Sequence, residues 1–442
     1  MAMRWSFGLR RVTVAAVVLL GMSTLSLGSS VGTAGAAGAV TNYTNASING
    51  PFSIAAGSDG ALWFTNVRGN TIGRITTAGA VTNFTDASIA SPNAITAGPD
   101  GALWFTNTFN NSIGRITTAG VVTNFTDPSM NNPFGITLGP DGALWFTNVS
   151  GYTIGRITTA GVVTNYSDPS LNGPQGITTG PDGALWFTNV GNSTIGRITT
   201  AGVVTSFTNS TVRIPEFIVA GSDGALWFTN FGSGTIGRIT TAGVITRYAN
   251  AGARPFAITA GPDGALWFTN APSTGTSQIG RITTAGTVTH YTDPTINSPE
   301  GIATGPDGGV WFTNTGNNSI GRVDLLPVVV PGGASVVEGN AGTVNLHVPV
   351  TLSKPSIQTT TVQWATGPAG PAPRADPASD FTAASGTVTF APGQTSKSVT
   401  ITVNGDTLVE PNEWITVSFK NPTNARMGGF YGLGFGVITN DD

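Results

Sequence analysis

Chemistry in this chain falls to carboxylates. Its 442 residues include no Cys and only two His, against 22 Asp and Glu and 19 Lys and Arg. A thiol nucleophile and a Cys-ligated metal are excluded, and His290 falls in an outer-edge strand pattern that exposes it. Two acids stand out by position. Glu216 and Glu300 each follow a Pro that opens a short apolar strand. At the equivalent place, other copies of the same pattern carry Phe52, Asn93, Phe134, Gln175 and Phe256. A carboxyl in apolar surroundings stays protonated to higher pH than in water. Either Glu is therefore a candidate general base near neutrality, with Phe52 and Phe256 as the apolar neighbours of Glu300.

The elements that position these side chains follow from repetition. The stretch GPDGALWFTN at 98–107 recurs with few changes, placing Trp63, Trp104, Trp145, Trp186, Trp227, Trp267 and Trp311 about 41 residues apart. Each period reads as four short apolar runs bounded by Gly, Asp or Asn, with hairpin turns such as Asp100-Gly101 and Ala119-Gly120. Repetition of a four-stranded unit at this period predicts a β-propeller, here with seven blades. The last copy lacks its fourth strand, and Ala39–Thr44 matches the missing piece, so the N-terminal strand is expected to complete blade seven and close the ring. The Trp-Phe pairs are expected to pack between blades. The IGR arginines (Arg74, Arg115, Arg156, Arg197, Arg238, Arg281 and Arg322) are expected to bond a neighbouring turn or the repeated Asp of the DG turn.

The first two strands of a period form a hairpin, so the start of one and the end of the other share a face. The residues after the Pro then lie beside a ring of Asn66, Asn107, Asn148, Asn189, Asn230, Asn270 and Asn314. Together with Phe52, Asn93, Phe134, Gln175, Glu216, Phe256 and Glu300 they make the predicted binding face. Amides and aromatic rings there suit neutral polar ligands such as glycans or peptides.

Only 9% of residues are charged and the net charge is −3, which excludes nucleic acid as a partner. Arg4, Arg10 and Arg11, the apolar run Val12–Leu20 and the small residues up to Ala34-Gly35-Ala36 read as a secretory signal over 1–36, leaving no transmembrane span after cleavage. Without Cys, stability outside the cell rests on core burial and ring closure. The propeller is assigned to 37–326 and a Pro/Gly linker to 327–333. A second all-β domain follows at 334–442, with all three Lys of the chain. Its alternating runs Thr343–Val350, Thr360–Trp364, Gly386–Phe390, Ser398–Val403 and Trp414–Phe419 predict an immunoglobulin-like β-sandwich. The protein is expected to be a monomer.

Residues 39–324 resemble the virginiamycin B lyase (streptogramin lyase) family through the WFT strand, the NxIGRIT strand and the PxGI strand start. The resemblance implies an enzyme that opens a macrocyclic depsipeptide by elimination across its ester bond, using Mg²⁺. The family's functional positions are altered here. The catalytic His after the last blade's Pro is Glu300, the metal-binding Glu before that Pro is Ser298, the second His is Phe256, and the second metal-binding Glu falls at Asn314-Thr315.

Residues 334–442 resemble Calx-beta modules through Val337-Glu338-Gly339, Ser379-Asp380-Phe381, the run Gly405 to Glu413 and the terminal Asn440-Asp441-Asp442. In calcium-binding members, acids at these places cluster at one end of the sandwich. The matching positions are Glu338, Asp380, Asp406, Glu410, Glu413, Asp441 and Asp442, with the Leu408 carbonyl. Gly405 stands where binding members carry the first Asp of a pair. Ca²⁺ takes roughly six to eight oxygens, which this set can supply. The resulting expectation is a secreted or surface-associated bacterial propeller. It would act as a non-catalytic recognition or adhesion protein toward a glycan, peptide or cell-surface ligand, with a calcium-dependent module. The alternative is a Mg²⁺-dependent C–O lyase with Glu300 or Glu216 as base.

Overall fold

The computed structural model describes residues 39–356, 358–367, 373–428 and 432–441; the segment read as a signal and Asp442 lie outside them. Seven four-stranded antiparallel sheets follow one another along the chain. Blade one is Pro51–Ala56, Leu62–Asn66, Thr71–Ile75 and Val81–Thr85, and the pattern repeats to blade six. Blade seven has Pro299–Thr304, Val310–Asn314 and Ser319–Val323. Its fourth strand is Val40–Thr44, antiparallel to the third, with Val40 opposite Val323 and Thr44 opposite Ser319. The ring closes as the sequence predicts. The first strands of successive blades pack on one another around the central axis.

Blade-to-blade packing explains the invariant second strand. Trp63 is buried in one cluster with Phe105 of the next blade, and Trp311 of the last blade is buried with Phe64 of the first. Each indole also stacks on an aromatic ring of its own fourth strand, as Trp63 does on Phe84 at 5.2 Å between centroids. In blade seven that ring is Tyr43, 5.3 Å from Trp311, so the closing strand also completes the stack. The IGR glycine is required by the same packing, since a Cβ on Gly196 would lie 2.1 Å from the Phe187 ring.

The DG turn pins the indole. Asp100 accepts from Trp104 Nε1 at 3.1 Å through one oxygen and from Arg115 Nε at 2.6 Å through the other. Burial alone would raise the Asp100 carboxyl, but Arg115 and Trp104 hold it below its ordinary value. All seven IGR arginines pair in this way with the Asp of their own turn, which answers the expectation set on them.

The second domain is a sandwich of a four-stranded and a five-stranded sheet. The first orders Ser396–Gly405, Gly342–Leu352, Val328–Pro331 and Arg426–Met427; the second orders Gly333–Val337, Leu433–Thr439, Glu413–Thr423, Thr360–Gly367 and Ser385–Phe390. Leu346, Val348, Ile401, Ile415 and Phe419 fill the space between them. The predicted linker at 327–333 is corrected here. Val328–Pro331 pairs with Gly342–Leu352, and Val329 is fully buried, so the sandwich begins at Val328. Three consecutive valines find a ladder partner there, and Pro331, with no N–H to give, closes the strand.

The sandwich docks on blade seven through charge. Arg426 pairs with Asp307 at 3.3 Å and with Asp324 at 3.1 Å, beside Arg322, which pairs with the same two acids. The Arg322 side chain is 1% exposed, whereas its six counterparts are 23–25% exposed.

Candidate functional site

The mouth of the propeller channel is built by a break in the ladder. In every blade the Pro of the first strand faces the Asn of the second, and the register then slips before pairing resumes two rungs on; Pro215 faces Asn230, then Ile218 faces Phe228. Such bulges re-aim side chains, and here they free the residue after each Pro. Its carbonyl is held by a Thr of the preceding blade. Thr188 Oγ1 donates to the Glu216 carbonyl at 2.7 Å and accepts from Gly176 N at 2.9 Å. Seven Thr of the WFT motif repeat this bond, ending with Thr313 donating to the Phe52 carbonyl. This ring of threonines escapes a reading of the sequence, because only the fold shows that each reaches the adjacent blade.

Aromatic rings span the mouth. Phe52 meets Phe134 at 6.0 Å and Phe256 at 5.8 Å, although these residues come from blades one, three and six. Phe217 joins them, 5.1 Å from Phe256 and 6.2 Å from Phe134. Phe217 is absent from the predicted face. The signal for it is a departure from pattern: other blades carry Ser53, Ala94, Gly135, Gly176, Ala257 and Gly301 at that place.

Set among these rings are Glu216 and Glu300, the only glutamates between 39 and 326. Glu216 is 8% exposed and accepts a hydrogen bond from Gln175 Nε2. The Glu300 carboxyl has no hydrogen-bond partner among the described residues. Burial pushes Glu216 up to about 7, against the opposing pull of Gln175 and Arg254. Burial, with Glu216 repelling, pushes Glu300 up to about 7 as well. The Arg254 guanidinium rests 4.5 Å from the centre of the Phe231 ring. The buried Asn93 Oδ1 has no partner among the described residues.

The Asn ring is a correction. Asn66, Asn107, Asn148, Asn189, Asn230, Asn270 and Asn314 are at most 1% exposed. Asn148 Oδ1 accepts from Asn131 N at 3.1 Å, and its Nδ2 donates to Ser129 O, Thr153 Oγ1 and Asn165 Oδ1. Strand ends inside a fold must satisfy their polar groups, and six of these amides are spent on that, whereas Asn270 accepts from Arg254 N but its Nδ2 has no partner among the described residues. What remains at the mouth is aromatic and acidic, with the amides of Asn93 and Gln175 beside it. His290 is exposed, as expected, and bonds the Asn250 carbonyl at 2.9 Å.

In the sandwich the predicted acids converge. Asp380, Glu410 and Glu413 bring one oxygen each within 4.8 Å of the others. Burial, then Asp380, Glu410 and Glu338, push Glu413 up to about 7. Glu338 is also raised, by burial and then by Asp406, Glu410, Asp441 and Asp380, so these acids share one field. Asp406 Oδ1 accepts from Leu408 N at 2.7 Å, Asp441 Oδ1 from Gly339 N at 3.0 Å, and the Leu408 carbonyl from Asn440 Nδ2 at 2.7 Å. The Gly405 departure has a steric reason: a Cβ there would lie 2.1 Å from the Gly339 carbonyl oxygen.

Comparison with known families rests on the same two regions. The profile of the virginiamycin B lyase family matches residues 23–173 and 168–330. The chain belongs to the virginiamycin B lyase family. The Calx-beta domain profile matches residues 332–432. A streptogramin B lyase structure is 36% identical, with 65% of this chain and 97% of that one covered and a TM-score of 0.60. A catalytically inactive virginiamycin B lyase from Staphylococcus aureus, solved with quinupristin, is 37% identical, with 65% and 100% covered and a TM-score of 0.61. The WD40 propeller of Doa1, 11% identical with 65% and 97% covered and a TM-score of 0.55, shares the fold. No curated protein sequence matches the chain. The two lyase structures match about two thirds of this chain, which also carries the region matched by the Calx-beta profile. No helix among the described residues is long and apolar enough to cross a membrane.

Proposed function

We propose that this family member is a secreted or surface-associated recognition protein. It binds a ligand at the channel mouth without turning it over, and its sandwich is a calcium-dependent module. One observation carries the reading. Phe256, Ser298, Glu300 and Asn314-Thr315 stand where the family resemblance puts two His and the metal-binding Glu, and Phe256 packs edge-on against Phe52 and Phe217. The Mg²⁺ donor set does not fit: Asn314 is buried with its amide bonded to Asn42, Thr295 and Ser319, and Thr315 Oγ1 donates to the Pro51 carbonyl.

In the sandwich the residues do fit a hard divalent cation. Asp380, Glu410 and Glu413 would hold Ca²⁺, with Glu338, Asp406, Asp441 and the Leu408 carbonyl beside them. A bound cation would relieve the repulsion that raises Glu413 and Glu338. A second reading, residual C–O lyase activity, is favoured by the Glu300 carboxyl at about 7, since a general base works best near ambient pH.

A screen against immobilised glycans and peptides, paired with mass spectrometry of quinupristin incubated with the chain and Mg²⁺, separates the two. Binding that Phe134→Ala removes, with the depsipeptide left closed, is expected. Ring opening that Glu300→Gln abolishes would put the lyase reading first.

A further inference from the structure

Away from the mouth and the acid loops, a cleft of about 580 Å³ opens between blades six and seven and the sandwich. Pro262-Asp263 and Pro306-Asp307-Gly308, the DG turns of the opposite face, form its propeller side, and Lys354 comes from the sandwich. The volume is that of a small-molecule site, typically about 300–1,000 Å³, and domain junctions are common places for one.

The charged groups of the walls differ in how far they are used. The two carboxylates are fully engaged. Asp263 takes Trp267 Nε1 and Ala265 N on one oxygen and Arg281 Nε on the other. Asp307 takes Trp311 Nε1, Gly309 N, Arg322 and Arg426. The two cations are only partly engaged. Lys354 Nζ, which can give three hydrogen bonds, gives one, to the Asp324 carbonyl at 2.9 Å. Arg281 donates through Nε to Asp263 and through no other nitrogen to a described residue.

Charge leads the same way. Arg322 and Arg426 balance Asp307 and Asp324 two against two. Of the charged residues lining the cleft, Asp263 pairs with Arg281 and Asp307 with Arg322 and Arg426, which leaves Lys354 without an ion pair among the described residues. Burial lowers the Lys354 pKa, with Asp324 pulling the other way, so its ammonium lacks part of the solvation it would have in water. Part of the remaining wall is apolar, formed by Leu325, Leu326 and Tyr291, whose ring stacks on Trp267 at 5.0 Å, and Gln358 and Asn424 add neutral amides.

The geometry points to a binding site for a small organic monoanion, a carboxylate on an apolar body. The carboxylate is received by Lys354 and Arg281, and the body lies against Leu325, Leu326 and Tyr291. The occupant touches both domains and fastens one to the other. The inference is independent of the recognition reading, because no mouth residue takes part.

The test is calorimetric titration of the full chain with 4-phenylbutyrate and with the neutral 4-phenylbutanol. The acid should bind at least about tenfold more tightly, since a charge-assisted hydrogen bond is roughly twice as strong as a neutral one. Lys354→Gln should erase that preference, and Lys354→Arg should keep it. Gln358→Trp, at an exposed position on the rim, should weaken the acid as well. Equal affinity for acid and alcohol, absence of acid binding in the millimolar range, or acid affinity unchanged in Gln358→Trp or in a folded Lys354→Gln would overturn the site.

Discussion

Glu300 illustrates how far single residues could be read. Its position after a Pro and its Phe52 and Phe256 neighbours are legible in the repeat, and the carboxyl is indeed raised by burial. The Asn ring was misjudged for a physical reason. Periodicity shows which residue types share a ring, but the ladder slip beside each Pro decides which side chains face the channel and which turn into the blade. The raised acids give a pH prediction with a definite sign. A carboxyl whose folded pKa lies above its unfolded value favours the folded state below about 4.5, and that advantage is lost as pH rises through about 7. Glu300→Gln should therefore raise the propeller's melting temperature at pH 8 and leave it unchanged at pH 4. The gain is roughly 1–3 kcal/mol at alkaline pH. A parallel shift at both pH values would mean that Glu300 is ionised alike in both states.

At the scale of elements, the four-strand unit was fully legible, because Gly, Asp and Asn punctuate every apolar run. Two features were not. Val328–Pro331 read as a hinge from its Pro and Gly flanks, since a strand at a domain start is recognised by its ladder partner and not by composition. The Thr ring was missed because its bonds cross between blades. Those bonds set the mouth's geometry. Thr188→Val keeps the shape of the side chain but leaves the Gly176 N–H and the Glu216 carbonyl without their partner in a buried place. A loss of about 1–3 kcal/mol is expected, read by chemical denaturation, with faster amide exchange at Gly176. A neutral substitution would show that water replaces the hydroxyl at no cost.

For the whole molecule, ring closure was counted correctly from a missing strand at one end and an orphan strand at the other. The structure adds that Tyr43 completes the last Trp stack. Removing residues 39–44 should therefore strip both the ladder partner of Ser319–Val323 and the cover of Trp311. A truncated chain is expected to lose its single cooperative propeller transition and to self-associate through the bare edge, as sedimentation would show. A monomeric variant with an unchanged melt would make that strand dispensable. The docking of the sandwich, by contrast, could not be read ahead. Arg426 lies about a hundred residues from Asp307 and Asp324, and nothing in its local sequence marks it.

One measurement addresses both the proposed calcium binding of the sandwich and the proposed lack of a Mg²⁺ site at the propeller mouth. Melts of the full chain in EDTA, Ca²⁺ and Mg²⁺ resolve the two domains. Calcium should raise the sandwich transition by several degrees through linkage, and more at pH 8 than at pH 5, because Glu413, pushed up to about 7, must ionise to bind. Magnesium should leave the propeller transition where EDTA leaves it. A sandwich indifferent to calcium, or a propeller stabilised by magnesium, would contradict the account.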